Sequence, residues 1–241
     1  FAGYIRKEIL EKAGAETIYF VGAIGGLIRL KELDEDNIKS TVLGGQSIAR
    51  TAMAVENEIK LCPVLNLIRQ EYYSQCDNYV LALAQKIGIL KSNAANTGKG
   101  SLNLSIHTEM SYFELGGLKL LFLPCELFPE LAYGGYLDAD CSAEGKSPDI
   151  NPAPLLRIAE DDNMLIFCLA NDFTGYVVPP NDFYLNPKEP YINGGRDRLD
   201  RRHYEETNSL GPETAPIIAN VFADIMNTVN KTKTEAEKAI K

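Results

Sequence analysis

The sequence predicts an α/β fold of the α+β kind, in which a mixed β-sheet with flanking helices forms an incomplete half of a larger domain. Helical and strand patterns alternate along the chain, as in proteins that cover a sheet with helices. A Gly-Gly pair between two apolar runs predicts an antiparallel hairpin, which a purely parallel array would not contain. The 241 residues are 45% apolar, which is enough to build a substantial core.

Composition and charge argue against several classes of protein. The chain carries 24 Lys and Arg against 33 Asp and Glu, a formal net charge of −9. An acidic balance without a basic run disfavours nucleic acid or an anionic membrane surface as the main partner. No stretch approaches the roughly 18 uninterrupted apolar residues of a transmembrane helix. The composition is typical of a soluble globular protein.

The first 59 residues predict two helices around one strand. Residues 1–13 place apolar side chains on one face, and Gly14 follows as a helix stop. Residues 17–26 form an apolar run that predicts a buried strand leading into a glycine turn. Residues 30–40 are a charged surface connection, and residues 44–59 have helical periodicity.

The middle of the chain predicts the centre of the sheet. A β-rich segment, residues 62–69, precedes a helix over residues 78–87 and a loop of turn-forming residues over 93–100. Two apolar runs flanking Gly116 and Gly117 then predict a β-hairpin.

The last third predicts one more strand between irregular segments. Residues 126–137 predict a helix, residues 138–154 a polar loop and residues 163–171 a second buried strand. Residues 172–202 are dense in Pro, Asn, Gly and Tyr, and a loop of this length is often a binding element. Residues 213–241 predict a long amphipathic helix.

The cysteine pattern favours free thiols over a disulfide framework. The five cysteines have irregular spacing and no CxxC pair, which excludes a zinc ribbon and a thioredoxin-type motif: Cys62, Cys76, Cys125, Cys141 and Cys168. Buried thiols are typical of a reducing compartment, so the cysteine usage leans towards a cytoplasmic protein, and the localisation is otherwise open.

Polar residues follow the predicted strands in three places. Glu126 comes directly after an apolar strand, and Asn171 and Asp172 follow the second buried strand. A charged cluster, residues 201–206, precedes the last helix. Strand ends are where sheets of this kind collect their sites. Each place also has a structural interpretation. Glu126 could lie in the first turn of a helix, and Asn171 and Asp172 could be an ordinary turn pair. Residues 201–206 could be a run of solvated charges.

Common catalytic signatures are absent from the sequence. It contains no GxSxG elbow, P-loop, HExxH or GxGxxG motif. The two histidines are His107, inside an alternating strand pattern, and His203, inside the charged cluster. A catalytic zinc takes three or more protein ligands, commonly including histidines, so this chain alone is too poor in histidine to build one.

Four segments together resemble the second half of the catalytic domain of the neutral/alkaline, non-lysosomal ceramidases, in the same order. They are residues 1–26, residues 120–131 (LLFLPCELFPEL), residues 169–180 (LANDFTGYVVPP) and residues 204–218 (YEETNSLGPETAPII). The resemblance implies that residues 1–241 are the C-terminal part of one ceramidase-like catalytic domain with no separate second domain. Because the chain begins at Phe1 rather than Met, we expect further residues upstream.

The resemblance implies a zinc-dependent hydrolase of an amide (N-acyl) bond. Members hold zinc with two histidines from the first half of the domain, then with a glutamate and a tyrosine from the second half. Glu126, in Pro-Cys-Glu, and Tyr204, in Tyr-Glu before a Gly-Pro pair, match these two positions. The histidine ligands are then expected upstream of Phe1. The implied substrate is a small-molecule or lipid-like amide from sphingolipid metabolism or outside it.

Five further residues are candidates for orienting the ligands or binding substrate: Asn171, Asp172, Tyr176, Arg202 and Glu205. The chain departs from the family pattern in three places. Cys125 stands where members have glycine, and the Tyr204 to Gly211 interval is one residue shorter than in members. Gly26 and Ile28 stand where members have an aspartate and a catalytic serine. No catalytic nucleophile is therefore assigned. The alternatives are a hydrolase of the same fold with a replaced serine and metal set, a binding relative that lost its site, and an accidental match.

Overall fold

The structure, a computed structural model, describes residues 1–27, 33–56 and 60–240, with side chains to residue 233. The chain divides into two compact units. The first contains residues 1–21 and 27–61, and the second contains residues 22–26 and 62–241. That the whole chain is part of a single catalytic domain stays a prediction.

The first unit is built on two helices, α1 (Ala2–Ala13) and α2 (Asn37–Met53). α1 ends as predicted, because Gly14 adopts the left-handed conformation at φ 65°. α2 begins inside the predicted surface connection, where the Asp36 carboxylate accepts hydrogen bonds from two backbone N–H groups of the first turn. The prediction of a strand over residues 17–26 is wrong, since these residues are irregular and Ile18 is 81% exposed.

The second unit contains a mixed five-stranded sheet in the order β1-β3-β4-β6, with β2 also paired to β3. β4 runs antiparallel to β3 and parallel to β6, which confirms the predicted mixed sheet with helices around it. Nine strands are assigned among the described residues: β1 (Leu65–Gln75), β2 (Ala94–Asn96), β3 (Leu104–Leu115), β4 (Leu118–Phe122), β5 (Glu126–Leu127), β6 (Leu165–Phe167), β7 (Tyr176–Val177), β8 (Gly195–Arg196) and β9 (Arg202–His203).

The predicted hairpin is β3–β4, and its turn follows from the two glycines. Gly116 and Gly117 both have positive φ, 56° and 97°, which is the conformation that a two-residue hairpin turn requires. The strands then continue in register to the pair Ser111 and Phe122. Residues 123–126 therefore lie at the end of the sheet, directly after β4.

The helices of this unit are α3 (Tyr79–Lys86), α4 (Pro129–Tyr133), α5 (Leu155–Ile158) and α6 (Thr214–Ile240). α3 begins as predicted after Asn78, whose side chain caps its first turn. α6 packs its apolar face on the sheet, with Phe222 fully buried and its ring 6.2 Å from that of Tyr112. The Lys233 ammonium also contacts the Glu114 carboxylate at 2.7 Å, which ties the helix to β3.

Two predictions for the segment around Glu126 are wrong. Glu126 and Leu127 form a strand and not the start of a helix, and the helix in this segment is confined to α4. The interpretation of Glu126 as a first-turn carboxylate therefore does not apply. The long segment 172–202 is also not uniformly a loop, because it contains β7 and β8 and ends in β9. These short strands position the candidate site.

Candidate functional site

The pairing of β5 with β7 places Glu126 beside Tyr176. The two strands are parallel, and Glu126 lies directly opposite Tyr176 in the register. The Glu126 N–H donates to the Gly175 carbonyl at 3.0 Å, and the Thr174 N–H donates to the Pro124 carbonyl at 2.7 Å. β5 follows β4 in the chain and β7 follows β6. Because β4 and β6 are parallel neighbours, the segments that follow them leave the sheet at the same edge, so Glu126 and Tyr176 meet although they are distant in sequence.

Tyr204 joins the same group through Tyr176. The two phenol rings lie edge to face with centroids 6.0 Å apart. Burial, hydrogen bonding to the Tyr204 hydroxyl, and the charge and hydrogen bonding of the Glu126 carboxylate raise the pKa of Tyr176 well above its usual range. The structure thus brings together three sequence-predicted residues, which we call the Glu126 group: Glu126, Tyr176 and Tyr204.

Gly175 allows the segment after Tyr204 to come this close. Its φ is +88°, and a Cβ atom at this position would lie 2.0 Å from the Asn208 carbonyl oxygen. Asn208 ends the short 3-10 helix Glu205–Asn208, which directly follows Tyr204. Only glycine combines this conformation with this approach. A residue without a side chain therefore sets the distance between β7 and the segment that carries Tyr204.

A second set of polar residues lies beside the Glu126 group and is built around His203. We call it the His203 cluster: Asp182, Asp197, Arg201, His203 and Glu206. The His203 ring lies 3.2 Å from Asp197 through Nε2 and 2.9 Å from Glu206 through Nδ1. Arg201 donates to Asp197 at 2.7 Å and to Asp182 at 3.0 Å. Both imidazole nitrogens of His203 are therefore engaged by carboxylates.

Neighbouring charges and hydrogen bonds stabilise the ionised forms of His203 and Asp197, although both side chains are largely buried. Burial disfavours the imidazolium form, but the hydrogen bonds and charges of Glu206, Asp197 and Asp182 outweigh it and raise the pKa of His203. Burial likewise opposes ionisation of Asp197. Backbone N–H groups and the side chains of Arg201 and His203 outweigh that effect and hold its pKa well below its usual range.

A cavity of about 130 Å³ lies beside the His203 cluster. Its wall includes Phe128 and Val178 together with Glu206 and other members of the His203 cluster. Phe128 lies two residues after Glu126 and Val178 two residues after Tyr176. Because side chains two apart on a strand face the same side, the side of the β5–β7 pair that carries Glu126 continues towards this cavity.

Asn171 and Asp172 lie in a different place. Asn171 Nδ2 donates to Glu109 at 2.9 Å, and Asp172 accepts from the Thr108 hydroxyl at 3.0 Å. The Asn171 amide and the Asp172 carboxylate are therefore both hydrogen-bonded to β3. The two residues line a separate cavity of about 280 Å³. We call its charged and polar lining the His107 cluster: Arg69, Glu71, Asn93, His107, Thr108, Glu109, Asn171 and Asp172.

Arg202 and Glu205 flank the Glu126 group without joining it. The Glu205 carboxylate accepts a hydrogen bond from the Tyr204 N–H at 3.0 Å, which fixes the backbone beside the phenol. Arg202 is exposed, lies in β9 opposite Arg196, and lines the rim of the 130 Å³ cavity. The predicted roles of both residues remain predictions.

Cys125, which stands where the ceramidase pattern has glycine, lies in the interior. It is fully buried against Cys168, and the Leu169 N–H donates to the Cys125 carbonyl at 3.2 Å. A hydrogen bond to Cys168, together with burial, raises the pKa of the Cys125 thiol. The added side chain therefore fills the space between the ends of β4 and β6. Ile28, another departure, lies outside the described residues.

The Glu126 group supplies two of the side chains that the resemblance implies as zinc ligands. Glu126 and Tyr204 offer a carboxylate and a phenol, both of which are oxygen donors, and they share one neighbour in Tyr176. Among the side chains of residues 1–27, 33–56 and 60–233, no three of His, Cys, Asp or Glu are grouped to hold a metal. These two donors are fewer than the three protein ligands that a catalytic zinc takes.

Sequence reasoning missed part of this arrangement. His203 was recognised as a member of a charged cluster, but Asp197 and the buried position of Glu206 were not. The spacing of His203 and Glu206, three residues apart, was one signal for their contact at the start of a short helix. No pattern in the sequence indicates that β8 pairs with β9 and so brings Asp197 to the ring.

Comparison with known proteins supports the fold. No protein-family model matches the sequence, and no curated protein matches it. Among solved structures, the chain is similar to neutral ceramidase from Pseudomonas aeruginosa, with a TM-score of 0.56 at 14% sequence identity. The match covers 96% of this chain and 40% of that one. The expected resemblance to a ceramidase is thus confirmed at the level of the fold, and this chain spans less than half of that protein.

None of the helices in the described part combines the length and the apolar character that a bilayer crossing demands.

Proposed function

We propose that the protein is a ceramidase-like, zinc-dependent hydrolase of an amide (N-acyl) bond, with Glu126 and Tyr204 as two of the zinc ligands. The observation that carries the proposal is the convergence of these two residues on Tyr176, although they come from β5 and from the segment after β9. The fold similarity to a neutral ceramidase supports it. The remaining ligands would come from residues outside those described.

Each side chain of the Glu126 group has a role in this proposal. Glu126 would supply negative charge to the metal, and the Tyr204 phenol would be an adjustable ligand that also orients substrate. Tyr176 lies opposite Glu126 in the strand register, where its hydroxyl could orient the carboxylate as an outer neighbour of the metal. Bound zinc would act as a Lewis acid on the amide carbonyl and make water a better nucleophile.

An apolar cavity supports an acyl substrate. It has a volume of about 240 Å³ and is lined by Leu81, Leu90, Ile106, Phe173 and Leu210, among others. Thr174 and Gly175 also form part of its wall, and Gly175 directly precedes Tyr176. A mostly apolar wall beside a few polar groups is typical of small-molecule sites. The substrate class is accordingly a small-molecule or lipid-like amide.

Zinc content tests the ligand assignment. We expect the full-length protein, stripped with chelator and reloaded, to retain about one zinc per chain by mass spectrometry. Glu126→Gln should lose this zinc, because it removes the carboxylate charge while keeping the side-chain shape. Glu109→Gln is the matched control, since Glu109 is a carboxylate of the His107 cluster. Stoichiometric zinc in Glu126→Gln would overturn the assignment.

Hydrolysis tests the activity itself. We expect acyl release from a panel of ceramides and simpler N-acyl amines, detected by mass spectrometry, to stop with chelator and return with zinc. A relative that lost its site and only binds would release no acyl group with or without zinc, and this result would replace hydrolysis by the alternative of a binding protein.

A further inference from the structure

A group of exposed apolar side chains lies around the end of α3. Ile87 is 62% exposed and Ile89 is 71% exposed, and Leu83, four residues before Ile87, is exposed as well. Leu90 and Phe173 are also exposed. We call these five side chains the α3 patch. Single exposed apolar residues are common on protein surfaces, whereas a group of them marks an interaction site.

The turn that follows α3 is held by hydrogen bonds on both sides. The backbone N–H groups of Ile89 and Leu90 donate to the Ala84 carbonyl at 2.9 and 3.1 Å. The Gln85 side chain donates to the Ser92 carbonyl at 2.8 Å and accepts from the Ser92 N–H at 3.0 Å. A turn with a defined conformation therefore presents the exposed isoleucines.

The charge around the α3 patch is opposite in sign to that of the whole chain. The net charge is −9, yet the sequence contains no acidic residue between Asp77 and Glu109, whereas it contains three lysines there: Lys86, Lys91 and Lys99. Lys86 and Lys91 are exposed and flank the turn. Apolar side chains bordered by lysines are typical of segments that lie in a lipid–water interface, where the ammonium groups reach the lipid phosphates.

The apolar cavity of about 240 Å³ lies beside the same patch. Its wall includes Leu90 and Phe173 of the patch together with Leu81 of α3. Phe173 is 59% exposed, so this side chain faces both the cavity and solvent. Asp172, directly before Phe173, accepts a hydrogen bond from Thr108 of β3. A molecule that binds at the patch would therefore lie next to the cavity.

We propose that the α3 patch binds the surface of a phospholipid membrane, with Ile87 and Ile89 among the acyl chains and with Lys86 and Lys91 at the phosphate groups. Because the whole chain is acidic, a membrane of neutral phospholipid suits it better than a strongly anionic one. A lipid-like amide in that membrane would lie next to the apolar cavity. This link to the substrate rests on the proposed function, whereas the membrane binding itself does not.

Vesicles of phosphatidylcholine test the binding in the absence of zinc and of any amide lipid. We expect the chelator-treated full chain to co-sediment with these vesicles in a saturable way. Changing both Ile87→Ser and Ile89→Ser should weaken the binding about tenfold or more, because two apolar side chains are no longer buried in lipid. Ile18→Ser with Ile38→Ser is the matched control, since these isoleucines of the first unit are at least as exposed, and it should leave the binding unchanged.

Tryptophan fluorescence gives a second measurement, because the chain contains no tryptophan. The emission of Ile89→Trp should move to shorter wavelength when vesicles are added, and brominated acyl chains should quench it. Ile38→Trp, in α2, should show neither effect. Both positions are exposed, so neither change disturbs the core.

The proposal would be overturned by an unaltered chain that does not co-sediment, by full binding in the Ile87 and Ile89 variant, or by an equal loss in the control pair. Unmoved emission of Ile89→Trp would overturn it even if the double variant does not fold. Sedimentation velocity without vesicles tests the other occupant, since a dimer that dissociates when Ile87 and Ile89 are changed would make the patch an interface between copies of the chain instead. Because no zinc and no turnover are involved, membrane binding can succeed where zinc binding or hydrolysis fails.

Discussion

The His203 and His107 clusters contain similar residues in different surroundings. Each has one histidine between polar partners and one arginine between two carboxylates. In the His203 cluster the imidazole is 10% exposed and Asp197 has no exposed side-chain surface. In the His107 cluster the imidazole is 25% exposed and its partner Glu71 is 51% exposed. Residue type alone therefore does not distinguish the two clusters, but burial does.

The two clusters also differ in how completely their hydrogen bonds are satisfied. His107 is paired with Glu71 and Asn93 and stacks on Tyr73, and Asn171 is bonded to Glu109. In the His203 cluster, by contrast, one oxygen of Glu206 receives no hydrogen bond from the described residues. Water can satisfy the exposed groups of the His107 cluster, whereas each hydrogen bond lost in the buried His203 cluster costs free energy. The His203 cluster therefore depends more on its internal hydrogen bonds.

The largest expected difference is between the two histidines. His203→Ala would leave Asp197 and Glu206 as buried charges without their shared partner, so we expect the free energy of unfolding to fall by about 3–5 kcal/mol. His107→Ala removes a partly exposed pair and should cost about 1 kcal/mol or less. Urea denaturation followed by circular dichroism measures both values. Equal losses of unfolding free energy in the two variants would show that burial does not make the His203 cluster more important for stability than the His107 cluster.

A smaller effect is expected from Asp197, and it depends on pH. Because the folded-state pKa of Asp197 is lowered, its stabilising contribution is present above its unfolded pKa of about 3.9 and is lost as the pH falls through the folded value. Asp197→Asn should therefore be less stable than the unaltered chain by about 2 kcal/mol at pH 7, and the gap should narrow below about pH 4.

Asp172→Asn is the matched control for Asp197→Asn. Asp172 is exposed and accepts one side-chain hydrogen bond from Thr108, so we expect a loss below about 1 kcal/mol at pH 7. Urea midpoints between pH 2 and 7 give both curves. A gap for Asp197→Asn that stays constant over this range would contradict the assigned role of its charge.

The smallest expected effect concerns two tyrosine hydroxyls. Tyr176→Phe removes a half-buried hydroxyl between Glu126 and Tyr204 and should cost about 1 kcal/mol. Tyr73→Phe keeps the ring that stacks on His107 at 4.7 Å and should cost close to nothing. Thermal unfolding of the two variants compares them directly, and a larger loss for Tyr73→Phe would reverse the comparison.

Local signals explain the parts of the fold that the sequence predicts. The β3–β4 hairpin follows from two adjacent glycines, and α3 follows from a capping asparagine and an apolar face. The apolar run 17–26 predicts a strand wrongly because such a run does not specify a partner strand, and pairing requires one. The first turn of α2 was missed because its residues are mostly polar, although Asp36 caps it.

The candidate site was only partly predictable for the same reason. Short motifs indicate Glu126 and Tyr204, and Tyr176 lies in another of the segments that resemble the ceramidases. Their proximity depends on two-residue strands whose pairing no periodicity reveals. Asn171 and Asp172 follow a buried strand as expected, yet their side chains bind β3 because the chain turns at Asn171, which has a positive φ of 66°.

The β5–β7 pair also has a consequence for the order of folding. The hydrogen bonds that join Pro124 to Thr174 close a loop of 50 residues, whereas the β3–β4 turn needs only Gly116 and Gly117. Loop closure costs conformational entropy before any contact compensates for it, so long-range pairs form after local hairpins. The Glu126 group should therefore assemble on a sheet that already exists. By the same reasoning it should open more easily than the β3–β4 hairpin, and a bound ligand would hold it closed.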